Sequence, residues 1–295
     1  MESSLVSVVI VAGPKRVREL IRCLRSIKRS TYKNYEVIVV DNSQNPHLVK
    51  KVKAKFPTVR LIVMPDNTGI LGFNIGFANA RGKYILALDD DCTIRPDTLE
   101  NIAKIFPKKP KKVAVLSTNI YEVPSKRFIY QNYLKENITN LYIAANMAVF
   151  RREIFTKVGY YDSNFFLWVH EDDLSIRILD AGCQIHFEPQ IVVDHYLTSK
   201  ARRGVRPHLL FYWPRNLAWF NIKHFSVYFW PLLILRNLVS LFLAPLKRRS
   251  LLVLPYVLVG YLAGWLTFYI PFKKRKVVNP KLEKKFLKFY LFDKF

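Results

Sequence analysis

The chain has 295 residues, with 47 Lys and Arg against 22 Asp and Glu for a formal charge of +25, enough length for one large α/β domain plus an appendage. The surplus is uneven: residues 201–295 carry 18 basic and 2 acidic residues, beside long apolar runs rich in Trp, Phe and Tyr. That combination fits membrane lipids better than a nucleic-acid groove, so no nucleic-acid partner is expected. Cys23, Cys92 and Cys183 are odd in number, widely separated and outside any CxxC spacing. They exclude a disulfide framework or zinc site and point to reduced thiols in a cytosolic domain.

Leu5–Ala12 reads as a strand. The run is too short for a signal peptide and leads into Gly13-Pro14 with no small-residue cleavage pattern. From about Arg16, Leu20, Ile21, Leu24 and Ile27 recur at helical spacing. Glu36–Val40 is a second strand ending in Asp41-Asn42-Ser43, a basic helix runs through Lys50–Phe56, and Val59–Met64 is a third strand. Asn67-Thr68-Gly69 is a turn signal before a helix through Phe73–Ala80, where Gly72 and Gly76 allow close packing or close ligand approach.

Tyr84-Ile85-Leu86-Ala87-Leu88 then runs directly into Asp89-Asp90-Asp91, a buried strand whose C-terminal end opens into acid. If the chain stays extended, Asp89 and Asp91 share one side and Asp90 takes the other. Two crowded carboxylates push one pKa up unless a cation sits between them, and oxygen ligands suit Mg²⁺ or Mn²⁺ with a diphosphate completing the shell. The triplet alone also fits an acidic turn capping the helix near Pro96. Strands alternating with helices imply a mostly parallel sheet with ligands at the carboxyl ends of its strands. Asp41 and Asp89–Asp91 both fall at such ends, and this convergence favours a site.

A helix near Pro96–Phe106, a strand at Val113–Ser117, an irregular or hairpin stretch over 118–140 and an apolar strand at Tyr142–Phe150 follow. Phe165-Phe166-Leu167-Trp168-Val169 then leads into His170-Glu171-Asp172-Asp173, which opens a helix. Acids at a helix N-terminus are favoured by the dipole, by about 0.3–1 kcal/mol. An aromatic wall beside them also suits a general base, because desolvation raises a carboxyl pKa.

With both acidic clusters placed, the chain resembles the family 2 nucleotide-sugar glycosyltransferases of GT-A fold, which invert the anomeric centre. The matching residues are Val6–Val11, Val37–Ser43, Asn67-Thr68-Gly69, Asn74 with Gly76, Ala80-Arg81-Gly82, Leu88–Asp91, and Glu171–Arg177 with Ala181-Gly182. Val193-Asp194-His195 and Tyr212-Trp213-Pro214-Arg215-Asn216 look like downstream segments of a rhamnosyltransferase-like branch. The resemblance implies that Val11, Asp41, Asn67, Asn74, Asp89 and Asp90 bind the nucleotide sugar. Asp89, Asp91 and His195 would then hold Mn²⁺ or Mg²⁺, and Arg202 and Arg203 would clamp the diphosphate. The catalytic base lies in Glu171–Asp173, with Asp172 first and Glu171 second, because Glu171-Asp172-Asp173-Leu174 is contiguous where many relatives carry an extra residue. Ala12-Gly13-Pro14 also departs from the commoner Pro-Thr-Tyr-Asn. His195 as a buried structural histidine and Arg202-Arg203 as a solvated turn are the alternatives.

The expected reaction is a single inverting displacement, a carboxylate taking the acceptor hydroxyl proton as it attacks the anomeric carbon. The expected organisation is a GT-A domain over 1–222 and a membrane-associated helical region over 223–295, on the cytoplasmic face. Phe225–Leu246 and Leu251–Phe272 are each about long enough to cross a bilayer. Arg236 and Asn237 sit inside the first, and Lys247-Arg248-Arg249 between them opposes the positive-inside tendency, which favours helices lying in the leaflet over a spanning hairpin. The acceptor is expected to be lipid-linked or a polysaccharide. A polyprenyl-phosphate glycosyltransferase and a non-catalytic membrane-bound polyanion binder are the competing readings.

Overall fold

The computed structural model describes residues 4–14, 16–129, 143, 147–196, 207–248 and 251–288. Its first half alternates strand and helix: β1 (Val6–Ala12), α1 (Val17–Lys28), β2 (Tyr35–Asp41), α2 (Pro46–Lys55), β3 (Arg60–Val63), α3 (Gly72–Asn79) and β4 (Tyr84–Asp89). Strand alternation sorts β1 between two faces. Val6, Val8, Ile10 and Ala12 pack with Leu20, Leu24 and Ile27 of α1 and Leu48 and Val52 of α2, while Val9 packs with Phe73 and Phe77 of α3 on the opposite face. Gly76 permits the second contact, since a Cβ there would come within 2.2 Å of Val9 Cγ1. Helix α2 begins where a turn-forming side chain allows it, with Pro46 at its first turn and Asn45 Oδ1 accepting from His47 N–H.

The second half is different. Asp90 and Asp91 form a tight turn from β4 into β5 (Cys92–Ile94), followed by α4 (Thr98–Ile105), β6 (Val113–Glu122), β7 (Arg127–Phe128), β8 (Ala148–Arg151), α5 (Ile154–Val158), α6 (His170–Asp180) and β9 (Gln184–His195). The strand order is β3-β2-β1-β4-β8-β6-β9-β5, with β7 on β6. Pairs β1–β2, β1–β4, β2–β3 and β6–β9 are parallel, but β4–β8, β6–β8, β6–β7 and β5–β9 are antiparallel. The sheet is therefore mixed rather than mostly parallel. Antiparallel pairing enters at β8, which runs against both β4 and β6, at β7, which turns straight back on β6, and at β5, which follows β4 through a turn and runs against β9. Strand β9 begins beside Val113 of β6 and ends with His195 opposite Cys92 of β5, which curls the sheet and carries its last residue to the acid turn.

Five helices close the described chain: α7 (Tyr212–His224), α8 (Trp230–Arg248), α9 (Leu254–Leu266), α10 (Tyr269–Phe272) and α11 (Pro280–Lys288). They are not a detached appendage. Phe165, Val169 and Ile176 share one buried cluster with Leu217, Phe220, Phe225, Leu233, Val278 and Phe286, and the boundary expected after residue 222 falls inside α7. Helix α9 lies close on α7 because Gly260 and Gly264 lack side chains; a Cβ on Gly260 would reach 2.3 Å from the Phe211 carbonyl oxygen. No helix among the described residues is long and apolar enough to cross a membrane.

Candidate active site

Register places three of the expected residues together. Ala12 pairs with Asp41 and Val11 with Asp89, so Val11, Asp41 and Asp89 occupy the adjoining carboxyl ends of β1, β2 and β4. Asp41 is fully buried. Its Oδ1 accepts from Ser43 N–H at 2.7 Å, whereas Oδ2 has no hydrogen-bond partner among the described residues. A buried acceptor left unpaired costs about 1–3 kcal/mol, and a ligand donor would remove that cost. Next to it, Asn42 donates to the Gly69 carbonyl at 2.8 Å and accepts from Thr68 Oγ1 at 3.0 Å. Gly69 has φ +58° and lies under Phe166, where a Cβ would be 2.4 Å from the Phe166 carbonyl oxygen. The turn thereby joins the end of β2 to the aromatic segment before α6.

The acid triplet does not alternate as an extended strand would, because Asp90 and Asp91 lie in a turn and converge on one cation, which the sequence reading did not name. Asp90 Oδ2 accepts from Gly13 N–H at 2.7 Å, and Arg16 Nη1 lies 3.0 Å from Asp90 Oδ1 and 2.6 Å from Asp91 Oδ2. His195 Nε2 is 3.3 Å from Asp91 Oδ1. Burial and the Asp91 charge push Asp89 up to about 8. Burial raises Asp90 to about 6 despite Arg16. In Asp91, burial is outweighed by His195 and Arg16, which hold the carboxyl below its usual range.

Asp91, Cys92 and His195 offer ligand atoms within 4.8 Å of one another. Cys92 is the poor member. Its Sγ sits 3.2 Å from Met147 Sδ, and burial pushes its thiol well up, so it stays protonated. The fit of a divalent ion rests on the other two, a carboxylate and an imidazole, a donor pair that suits Mn²⁺. The buried Nδ1 of His195 has no hydrogen-bond partner among the described residues. Arg22 is a second cation missed in the sequence; it stacks 3.8 Å over the Tyr196 ring, with Nε and Nη2 buried and unbonded among the described residues. In a chain with 47 basic residues, nothing local distinguishes Arg16 or Arg22 from their neighbours.

The acids of α6 separate by role. Asp173 is fully buried and wholly committed: Arg177 Nε is 2.9 Å from Oδ2, while Lys223 Nζ at 2.6 Å and His224 Nε2 at 2.8 Å reach Oδ1. Burial opposes its charge, but Arg177, His224 and Lys223 prevail and hold the carboxyl well below the usual range. Fully buried with both oxygens held by cations, Asp173 is out of reach of a substrate hydroxyl and is a structural acid, removed as a candidate base. Glu171 and Asp172 are both half-buried. Glu171 lies 3.1 Å from His170 Nε2, and burial drives that histidine down to about 3, so it is neutral. Glu171 is also close enough to the triplet for its charge to raise Asp89 and Tyr161.

Immediately before α6 the backbone is strained, with φ +62° at Trp168 and +63° at Val169, conformations costly for bulky and β-branched residues. Asn216 of α7 holds this segment by donating to the Leu167 and Trp168 carbonyls at 2.7 and 3.0 Å, and Arg215 donates to the Asn164 carbonyl at 3.2 Å. The Tyr212–Asn216 motif thus braces the acid-bearing loop.

Other expected site residues lie elsewhere. Asn74 spends its amide on the Tyr161 backbone, donating to O at 2.8 Å and accepting from N–H at 3.0 Å, which joins α3 to the α5–α6 connection and leaves it unsuited to a donor contact. Asn67 is exposed and caps its own turn, accepting from Gly69 N–H at 3.0 Å. Arg202 and Arg203 lie outside the described residues. A separate cavity of about 530 Å³, lined by Tyr160, Asp162, Arg177, Asp180, Lys223 and His224 among others, sits between α6 and the C-terminal helices. Its acids are engaged: Asp162 by Lys223 and Lys274, Asp180 by Lys276.

Residues 7–159 match the model of glycosyl transferase family 2. The chain belongs to that family. It is 27% identical over 161 residues to an uncharacterized glycosyltransferase of Haemophilus influenzae, an alignment covering 51% of this chain and 54% of the relative's length. A glucosyl-dolichyl phosphate glucuronosyltransferase of Haloferax volcanii is 26% identical over 220 residues, 65% of this chain and 69% of that one. Among solved structures, the mannosyltransferase PcManGT of Pyrobaculum calidifontis, in complex with GDP-Man and Mn²⁺, superposes with a TM-score of 0.60 at 18% identity, covering 98% of this chain and 88% of that one. The shared fold is the GT-A-like α/β architecture with a mixed sheet.

Proposed function

We propose that this chain is an inverting glycosyltransferase that moves a sugar from a nucleotide-sugar donor to a hydroxyl of a lipid-linked or polysaccharide acceptor at the cytoplasmic face of a membrane. The observation that carries the reading is the convergence of two acid sets: Asp41 and Asp89–Asp91 at the ends of parallel strands, and Glu171 and Asp172 at the start of α6, whose leading segment packs through Phe166 on the Gly69 turn beside the end of β2.

In this reading the unpaired Oδ2 of Asp41 accepts a hydrogen bond from the nucleobase, and Asp89 faces the ribose. Arg16 and the Gly13 N–H fix Asp90 and Asp91 in place. Asp91 and His195 would hold the divalent ion, which when bound offsets charge on the departing diphosphate. Glu171 takes the acceptor hydroxyl proton as the oxygen attacks the anomeric carbon, and one displacement inverts that centre. Glu171 is taken first because its charge is among those that raise Asp89, and Asp172, equally half-buried, is the alternative. The dolichyl phosphate-linked substrate in the name of the H. volcanii relative favours a lipid-borne acceptor, and it keeps a polyprenyl phosphate as the second reading.

The test is a panel of nucleotide sugars titrated with Mn²⁺, with and without lipid-linked and lipid-phosphate acceptors, and product configuration read by NMR. Donor-dependent transfer with inversion is expected, and Asp91→Asn should lose metal-dependent affinity and turnover. Retention of configuration would remove the single-displacement mechanism, and full turnover in excess chelator would remove the metal.

A further inference from the structure

Sixteen of the nineteen exposed large hydrophobic side chains among the described residues lie between Val227 and Val277. They are not scattered. On α8, Leu232, Leu235, Val239 and Leu243 recur at helical spacing, while Leu233, Asn237 and Leu241 are buried against the body. On α9, Tyr256, Val259, Leu262 and Leu266 form a second exposed stripe, backed by buried Val257, Gly260 and Tyr261. Leu251 and Leu252 in the turn between these helices are each 76% exposed, and Phe268, Tyr269 and Phe272 continue the face beyond α9. A patch of this extent marks an interaction surface.

Its occupant follows from charge and length. Residues 201–295 hold two acids, Glu283 and Asp293, and Glu283 is buried. After the apolar face in the chain, Lys273, Lys281, Lys284, Lys285 and Lys288 are exposed, as are Lys274 and Lys276, which pair with Asp162 and Asp180. A second copy would bring a like-charged rim against this one and be repelled. An anionic bilayer surface meets both halves of the pattern, acyl chains against the leucines and headgroups against the lysines. Spanning does not fit: α9, at 13 residues, is roughly 20 Å long, short of the roughly 30 Å hydrocarbon core.

We infer that α8, α9 and α10, with the turn at Leu251-Leu252, form a monotopic docking face that lies in one leaflet of an anionic membrane. The inference rests on the reading above that the acceptor is at a membrane, and names the surface that takes the enzyme there.

The full chain should float with phosphatidylcholine vesicles containing phosphatidylglycerol, and at least tenfold more weakly with phosphatidylcholine alone. Leu235→Glu/Val259→Glu/Leu262→Glu should lose flotation at least tenfold while keeping its circular dichroism. Should that variant misfold, Leu251→Glu/Leu252→Glu in the exposed turn gives the same reading. Unchanged flotation in folded variants overturns the inference, and so does a solution dimer that the variants dissociate with no vesicle binding by the parent chain. Nucleotide-sugar binding measured on the same samples separates the two proposals: lost flotation with donor binding retained supports this face, and flotation without any donor binding sinks the catalytic reading alone.

Discussion

Two buried acid clusters in this protein look alike in sequence and differ in what they leave undone. Around Asp173 each carboxylate oxygen meets a protein cation, and the cations come from α6 and α7. Around Asp91, Arg16 and His195 cover part of the charge, yet Asp89 is left raised to about 8 and the nearby Asp41 Oδ2 and His195 Nδ1 are without partners among the described residues. In the first cluster both carboxylate oxygens are spent on protein cations, although His224 Nδ1 has no partner among the described residues, and the acid serves as a rivet. The second keeps a carboxylate oxygen that a ligand would use. Acid density does not distinguish a site from a joint; unspent hydrogen-bonding and charge capacity does.

The comparison is broken most forcefully at the rivet. Asp173→Asn takes the carboxylate from Arg177 and leaves Lys223 with Asp162 alone, so unfolding free energy by urea titration should fall by about 3 kcal/mol, the low end for a broken buried pair. Asp173 and Asp162 are both held low against the cost of burial, by Arg177, His224 and Lys223 in one case and Lys223 and Lys274 in the other. Because folded carboxyls with depressed pKa bind fewer protons than unfolded ones, their contribution is full above about pH 4 and is lost as pH falls toward the folded values. The parent chain should therefore lose stability steeply below about pH 4, and Asp173→Asn should show a shallower acid limb. Equal acid limbs in the two proteins would mean the rivet does not bear on stability.

At the open cluster the same kind of change should spare the fold and remove turnover. Glu171→Gln is expected to lower kcat by about 10²–10⁴-fold with donor affinity and urea midpoint unchanged, and Asp172→Asn to have a much smaller effect. The reverse ranking would return the base to Asp172.

The smallest expected effect lies between the clusters. Asn216→Ala removes two hydrogen bonds that hold the strained Trp168–Val169 turn, and should cost about 1–3 kcal/mol of stability. Turnover should fall modestly while donor Kd stays put, since the brace acts on the α6 side alone. A change in donor Kd equal to the change in kcat would show that the loop also serves the donor.

Much of this was legible because it is local. Strands β1 to β4 and their helices follow from apolar periodicity, and the acids at Asp41 and Asp89–Asp91 are visible because they interrupt apolar strands. What escaped depends on distant pairing. The three residues Cys92–Ile94 are a strand only because β9 lies beside them, and β9 itself carries His186, Glu188, Pro189 and Gln190, which break any alternating pattern. The role of Asp173 was hidden because its partners Lys223 and His224 arrive from α7. Asn74 is expected as a ligand contact by family resemblance alone, and an amide in a Gly-rich helix offers no sign that it bonds the backbone of Tyr161.

The long strand β9 also sets the timing of assembly. His195 comes to Asp91 only when the end of β9 docks beside Cys92, roughly a hundred positions earlier in the chain. Contacts of such separation must meet the entropy of loop closure before they return any energy, and they form late. The Asp89–Asp91 turn can thus be shaped by β1 and β4 early in folding while its imidazole partner is still absent. A nascent or partly folded chain then carries the acids without His195 beside them, and the proposed metal pair would be complete only once the final strand docks.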